Sequence, residues 1–269
     1  MKQILIAGCG DVGIATAAHF ADATVYGLRR RPGKLPASIV PVTADLTSPD
    51  ESFADAPDHV DLILYCPTPS ERSEKGYRAT FIDGVRNLVR ACRARTWIFV
   101  SSTAVYGQDD GAWVDEDVAL EPTRYNGRVL KSAERNILDM GGTVIRSAGI
   151  YGPGRDYLIR RVEEGVAARS HRYTNRIHRD DLAAAIAHLA VSNAQGTFNA
   201  VDSSPCAEPE VMNFIAERLG TPPPEISSTE PSNKRVSNSR LLNTGFTFTY
   251  PDYRAGYDHV IAHRNHRIA

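Results

Sequence analysis

The chain has 269 residues, with 31 basic against 32 acidic side chains and a net charge of −1. That length buries roughly 70–75% of the unfolded surface, enough for one large α/β domain with appended segments. The even charge, with no like-charge run longer than Arg29-Arg30-Arg31, speaks against nucleic acid or a membrane surface as partner, and no apolar segment approaches a bilayer span.

Lys2–Ala7 reads as a short buried strand, followed by Gly8-Cys9-Gly10-Asp11-Val12-Gly13 and an apolar-periodic stretch from Ile14 to Phe20. Strand, G-x-G-x-x-G turn and helix start stand in the order a dinucleotide-binding unit requires. Gly8 permits the tight turn, Gly10 lets backbone approach a diphosphate, and Gly13 lets helix and strand pack closely. The diphosphate would rest on unpaired N–H groups at the helix amino end, beside Asp11 and Val12.

Further strands are expected at Ala23–Leu28, Ile39–Val42, Val60–Tyr65, Thr96–Ser101 and Thr143–Arg146, and helices at Asp11–Ala21, Tyr77–Ala94 and Asn126–Met140. This alternation predicts an α/β fold, a doubly wound Rossmann parallel sheet with helices on both faces. Ligands then bind beyond the carboxyl ends of the strands, which directs attention to Gly8–Gly13, Arg29–Arg31, Asp45, Cys66–Pro69 and Ser101–Gly107. Residues 1–150 form the expected cofactor domain. Residues 151–269, with helices at Asp180–Ala190 and Pro209–Leu219 around a strand at Gly196–Val201, form a mixed segment that completes the sheet and makes a small substrate-binding lobe. The tail His259–Ala269 reads as a frayed end. Cys9, Cys66, Cys92 and Cys206 lack a C-x-x-C pair and suit a reducing, cytoplasmic setting; no signal-peptide pattern is seen, and no metal is expected.

Together, Gly8–Gly13, Ala44-Asp45-Leu46, Ser101-Ser102-Thr103-Ala104-Val105-Tyr106-Gly107, Arg146, Gly149-Ile150-Tyr151-Gly152-Pro153-Gly154, His178-Arg179-Asp180-Asp181, Gly196-Thr197-Phe198-Asn199 and Asn233–Asn238 resemble the short-chain dehydrogenase/reductase superfamily. The likeness is to its extended, sugar-nucleotide epimerase/dehydratase-like form, and Asn126–Leu130 looks most like an atypical, YeeZ-like branch. The resemblance implies bound NAD(P), with Asp45 and Leu46 near the adenine and Tyr65-Cys66-Pro67 alongside the ribose and nicotinamide. It also implies that Ser102 orients substrate and that the region after Tyr151 binds it.

The end of the second strand decides between dinucleotides, because an acid there bonds the ribose 2′-OH whereas arginine accommodates a 2′-phosphate. Arg29 and Arg30 follow Leu28 with no acid before Asp45, so NADP is favoured, with NAD the other option. The family's catalytic pair, Tyr-x-x-x-Lys on one helix face, is missing. Lys131 lies six residues after Tyr125, about 600° around the helix and nearly opposite. Aligning on Glu134 puts Asn126 and Leu130 at the two positions. Either Tyr125 still donates the proton with Arg128 supplying the charge, or both residues are structural. Ser102 and Thr103 are expected to meet substrate or nicotinamide, with bonding to their own backbone as the alternative. Arg146 and Arg155 could grip a phosphate, with Tyr151 beside them. Asp180 and Asp181 read as helix caps next to His178.

Two functions are open. One is an NAD(P)-dependent oxidoreductase or epimerase acting on a hydroxyl or carbonyl of a nucleotide-linked or phosphorylated small molecule. The other is a catalytically degenerate NADP(H) sensor or scaffold. A homodimer through the outward helices is neither supported nor excluded.

Overall fold

The computed structural model describes residues 2–48, 53–168, 171–226 and 232–264. In chain order it contains β1 (Lys2–Ala7), α1 (Asp11–Ala17), β2 (Ala23–Arg29), β3 (Ile39–Thr43), β4 (His59–Tyr65), α2 (Glu74–Arg78), α3 (Gly84–Ala91), β5 (Arg93–Ser102) and β6 (Trp113–Val114). There follow α4 (Tyr125–Asp139), β7 (Thr143–Ser147), β8 (Gly149–Tyr151), α5 (Tyr157–Glu163), β9 (Tyr173–Thr174), β10 (Arg176–His178), α6 (Arg179–Val191) and β11 (Gly196–Ala200). The last elements are β12 (Cys206–Ala207), α7 (Glu208–Leu219), β13 (Arg235–Val236), α8 (Ser239–Leu242) and α9 (Tyr253–Arg264).

A seven-stranded sheet runs in the order β11-β7-β5-β4-β1-β2-β3. The pairs β3–β2, β2–β1, β1–β4 and β4–β5 are parallel. The sequence explains this: Ile4–Ala7 and Leu62–Tyr65 are continuous apolar runs, buried in full, as strands covered on both faces must be. The chain leaves β1 towards β2 and β3, then returns to β4 on the other side of β1. The strand order therefore reverses between β1 and β4, and the loops after both strands meet at that switch point.

Several boundaries differ from the sequence expectation. The first helix ends at Ala17 rather than Ala21, because His19 and Phe20 donate to Thr16 and Ala17, three residues back, and close the helix with tight turns. The helix expected at Tyr77–Ala94 starts at Glu74, where the Ser73 hydroxyl accepts from the Gly76 amide at 3.1 Å, and stops at Ala91. Arg93 and Ala94 belong to β5. Between α2 and α3 one π-helical turn spans Ala79–Asp83. Its cause is visible: the Tyr65 hydroxyl donates to the Thr80 carbonyl at 2.5 Å, diverting it from the helical ladder. Gly84 makes room, since a Cβ there would lie 2.4 Å from that hydroxyl oxygen.

The chain divides into two compact units, one of residues 1–107, 120–146 and 183–198 and one of 108–119, 147–182 and 199–269. In the second, α5, α7 and α9 bury Ile159, Val211, Ile215, Tyr253, Tyr257 and Val260 in a common core. Glycine ends α7 in the left-handed conformation, with Gly220 at φ +67°. The expectation of a frayed tail is corrected for His259–Arg264, which form the last turns of α9. The His259 ring lies 5.3 Å from His178 and 4.9 Å from Tyr250. The tail's remaining five residues, 265–269, lie outside the described residues. No helix among the described residues is long and apolar enough to cross a membrane.

Candidate active site

The loop after β1 is a tight turn held by backbone. The Gly8 and Cys9 amides both donate to the Leu28 carbonyl at 3.0 Å, and the Gly10 amide donates to the Gly8 carbonyl at 2.7 Å. Each glycine has a separate reason. Gly8 adopts φ +82° and touches the loop after β4, where a Cβ would lie 2.4 Å from Pro67 Cα. A Cβ on Gly13 would lie 2.9 Å from Ile6 Cγ2, so α1 packs directly on β1. At Gly10 a Cβ would meet nothing nearer than the Gly8 oxygen at 3.9 Å, so the turn is open on that side. Asp11 is exposed and Val12 buried.

Around this turn stand other residues singled out in the sequence. Arg29 Nη1 reaches the Cys9 carbonyl at 3.4 Å, and Arg30 is exposed. Burial opposes ionisation of Asp45, but bonds from the Thr47 amide and hydroxyl, with the Arg30 charge, hold its carboxyl below the usual range. Leu46 is buried, and its carbonyl accepts from Asn87 at 3.0 Å. The Cys66 amide closes onto the Ala7 carbonyl at 2.9 Å. Burial pushes the Cys9 thiol up to about 11 and Cys66 higher still, so both stay protonated and unreactive at neutral pH. The Tyr65 phenol is fully buried beside Phe99 and donates to the Thr80 carbonyl, so at the strand end this residue offers backbone rather than its side chain.

The end of β5 presents Ser102 and Thr103, both half-buried. Ser102 Oγ accepts from the Ala104 amide at 3.2 Å, leaving its hydroxyl hydrogen to be donated elsewhere. Thr103 opens a one-turn 3-10 helix ending at Val105. Beneath it lies a cluster that the sequence reading did not assemble. Ser101 donates to Glu134 Oε1 at 2.6 Å, Arg146 Nη2 donates to Glu134 Oε2 at 2.8 Å, and Arg146 Nη1 donates to the Tyr106 hydroxyl at 2.9 Å. Arg146, expected to grip a substrate phosphate, is 4% exposed and bound within the fold. Its position on β7, a strand with every residue buried, is the reason. The signal that could have found the cluster is Glu134 itself, a lone acid among the apolar positions Leu130, Ala133 and Ile137 of α4.

On α4 the two competing readings of Tyr125 and Arg128 can be compared with geometry. The Tyr125 hydroxyl donates to the Arg72 carbonyl at 2.6 Å, with its ring edge-on to Tyr77 at 5.5 Å. Arg128 Nη1 caps the Thr123 carbonyl at 2.7 Å, and Lys131 Nζ caps the Leu120 carbonyl at 2.6 Å. Leu130 is buried. The phenol and the cations are thus engaged with backbone rather than with one another.

In the second unit, Tyr151 is 4% exposed and stacks on Tyr257 at 4.6 Å, so its expected contact with substrate gives way to a core role. Arg155 is exposed just beyond the Gly152-Pro153-Gly154 turn. Asp181 accepts the Thr249 and Tyr250 amides at 2.8 Å each, while the Asp180 amide donates to His178 Nδ1 at 3.2 Å.

No protein-family model and no curated protein matches the chain. Solved structures do. One from Methylobacillus flagellatus, named as an NAD-dependent epimerase/dehydratase, is 32% identical, with a TM-score of 0.83 over 98% of this chain and 99% of its own. Human epimerase family protein SDR39U1 (isoform 2) with NADPH is 18% identical with a TM-score of 0.76, over 97% of this chain and 99% of its own. MoeE5 in complex with UDP-glucose and NAD is 20% identical with a TM-score of 0.80, over 100% of both chains. The last two likenesses concern the fold alone. By its likeness to the Methylobacillus flagellatus protein, the chain belongs to the NAD-dependent epimerase/dehydratase family.

Proposed function

We propose that the chain binds NADP(H), with NAD the weaker ligand, in the Gly8–Gly13 loop, and that it acts as an oxidoreductase or epimerase. The substrate class is a nucleotide-linked or phosphorylated small molecule, attacked at a hydroxyl or carbonyl. The observation that carries the reading is the glycine turn at the β1–β4 switch point, closed on Pro67 at Gly8 and open at Gly10. When bound, the dinucleotide supplies a hydride donor or acceptor.

The chain's residues do the remaining work. The turn cups the diphosphate, and Arg29 and Arg30 meet the 2′-phosphate, since β2 ends without the acid that would bond a ribose 2′-OH. Asp45 and Leu46 border the adenine, and the Cys66-Pro67 backbone borders the ribose. Ser102 and Thr103 orient the reacting hydroxyl of the substrate. The nucleotide-sugar class is supported by the UDP-glucose that MoeE5 binds.

A second reading, an NADP(H) sensor or scaffold without turnover, is favoured by the engagement of the Tyr125 phenol with Arg72. Titration of nicotinamide fluorescence, followed by a panel of UDP-sugars analysed for epimers and absorbance change, tests both. NADPH is expected to bind about tenfold tighter than NADH, the equivalent of one charge-assisted hydrogen bond. No association of either dinucleotide at millimolar concentration would sink both readings. Tight NADPH binding with no turnover across the panel would favour the sensor.

A further inference from the structure

One buried ion pair holds the end of β5 from both sides. Glu134 and Arg146 are 2% and 4% exposed. Ser101, just before the turn, donates to Glu134 at 2.6 Å, and Tyr106, just after it, accepts from Arg146 at 2.9 Å. The guanidinium also donates Nε to both carboxylate oxygens at 3.2 Å. Ser101 and Tyr106 bracket Ser102–Val105, so the pair grips the segment at its two ends. In the middle, a Cβ on Gly127 would lie 2.4 Å from the Ala104 carbonyl oxygen, which makes α4 and the turn touch backbone to backbone.

A buried ion pair is poor glue. Apolar residues of similar volume often do as well or better for stability, because two charges must be stripped of water. What the pair supplies and apolar side chains cannot is direction, through forked hydrogen bonds of fixed geometry.

We infer that Glu134, anchored by Arg146, is a positioning residue that fixes the Ser102–Val105 turn so that the Ser102 and Thr103 hydroxyls meet substrate in one geometry. This rests on the reading above that those hydroxyls face the substrate. The pair itself touches neither substrate nor cofactor.

The test is amide hydrogen exchange on the full chain saturated with NADPH, read at Ala104 and Tyr106. Their amides donate within the turn, to Ser102 Oγ at 3.2 Å and to the Thr103 carbonyl at 3.3 Å. The double variant Glu134→Leu/Arg146→Met roughly keeps volume and leaves no uncompensated charge behind. It is expected to melt within a few degrees of wild type and to bind NADPH within about twofold, yet to exchange those two amides about tenfold faster, with Ile98–Val100 unchanged. Glu134→Gln, which keeps one acceptor oxygen and replaces the other with an NH2 donor, is expected to fall between the two and serves alone if the double variant does not fold. A cohesive role alone would lower the melting temperature and leave the two amides no faster than Ile98–Val100, and that outcome overturns the inference. Wild-type chain that binds no NADPH would overturn the function reading instead, while exchange without the dinucleotide would still decide the clamp.

Discussion

At Gly8 and Gly10, two residues apart in one turn, a methyl group has opposite consequences. Gly8→Ala places a side chain at φ +82° and 2.4 Å from Pro67 Cα. The left-handed conformation costs about 1–2 kcal/mol and the overpacking about 1–3 more. Gly10→Ala meets nothing within 3.9 Å and is expected to change stability by no more than about 1 kcal/mol. Its methyl group occupies the open side of the turn, so NADPH affinity falls while the fold survives. Thermal unfolding with NADPH titration separates the two, and equal losses of melting temperature would remove the argument. Tyr125→Phe keeps the ring against Tyr77 and loses one hydrogen bond to the Arg72 carbonyl, worth about 0.5–1.5 kcal/mol. Turnover on any active substrate is expected to stay within a few fold of wild type; a hundredfold fall would make this phenol the proton donor after all.

Helices and strands show where local pattern is a sufficient guide and where it stops. β1, β4 and the Gly8–Gly13 turn were legible because apolar runs and glycines act within a few residues. The segment Glu74–Ala91 was only half legible: its apolar spacing marks a helix, but the π-helical turn depends on Tyr65, at the end of β4 and outside the segment. Tyr65→Phe is expected to leave the Thr80 carbonyl buried without its partner, costing about 1–3 kcal/mol in denaturant unfolding. It also removes the reason for the π turn, so the amides of Phe81–Gly84 should show altered exchange protection. Unchanged protection there would mean that the turn is set by something other than the phenol. Arg146 was misread for a related reason: an arginine at the end of a central strand looks available until Glu134, twelve residues earlier, is known to face it.

For the whole molecule, the alternation of strands and helices predicts the doubly wound parallel sheet. Contacts that join distant segments of the second unit do not follow, because they depend on which rings meet. His178 is enclosed by Tyr151, Tyr250 and His259 at ring separations of 5.4, 3.9 and 5.3 Å, with Arg179, Asp180 and Asp181 adjoining it. Burial lowers its pKa from 6.5 to about 4, an effect that Asp180 opposes and His259 and Arg179 reinforce. The fold favours the neutral ring, so its contribution is complete above pH 6.5 and is lost as pH falls towards 4. Asp202 acts with the opposite sign. Burial raises its pKa from 3.8 to about 7 against the pull of Arg176, so the fold favours the protonated acid and stability is lost as pH rises through that interval. Each effect is on the order of 3 kcal/mol by linkage. Between pH 4.5 and 6.5 they offset, and the wild-type chain is expected to show a shallow stability profile. Asp202→Asn mimics the protonated acid and removes only the second effect. It should fold normally at pH 7 and, in denaturant unfolding, lose on the order of 2 kcal/mol more than wild type on acidification to pH 4.5. Identical profiles for the two chains would mean that Asp202 ionises in the fold as freely as in water, and that the nearby Arg176 charge offsets the cost of burying its carboxylate.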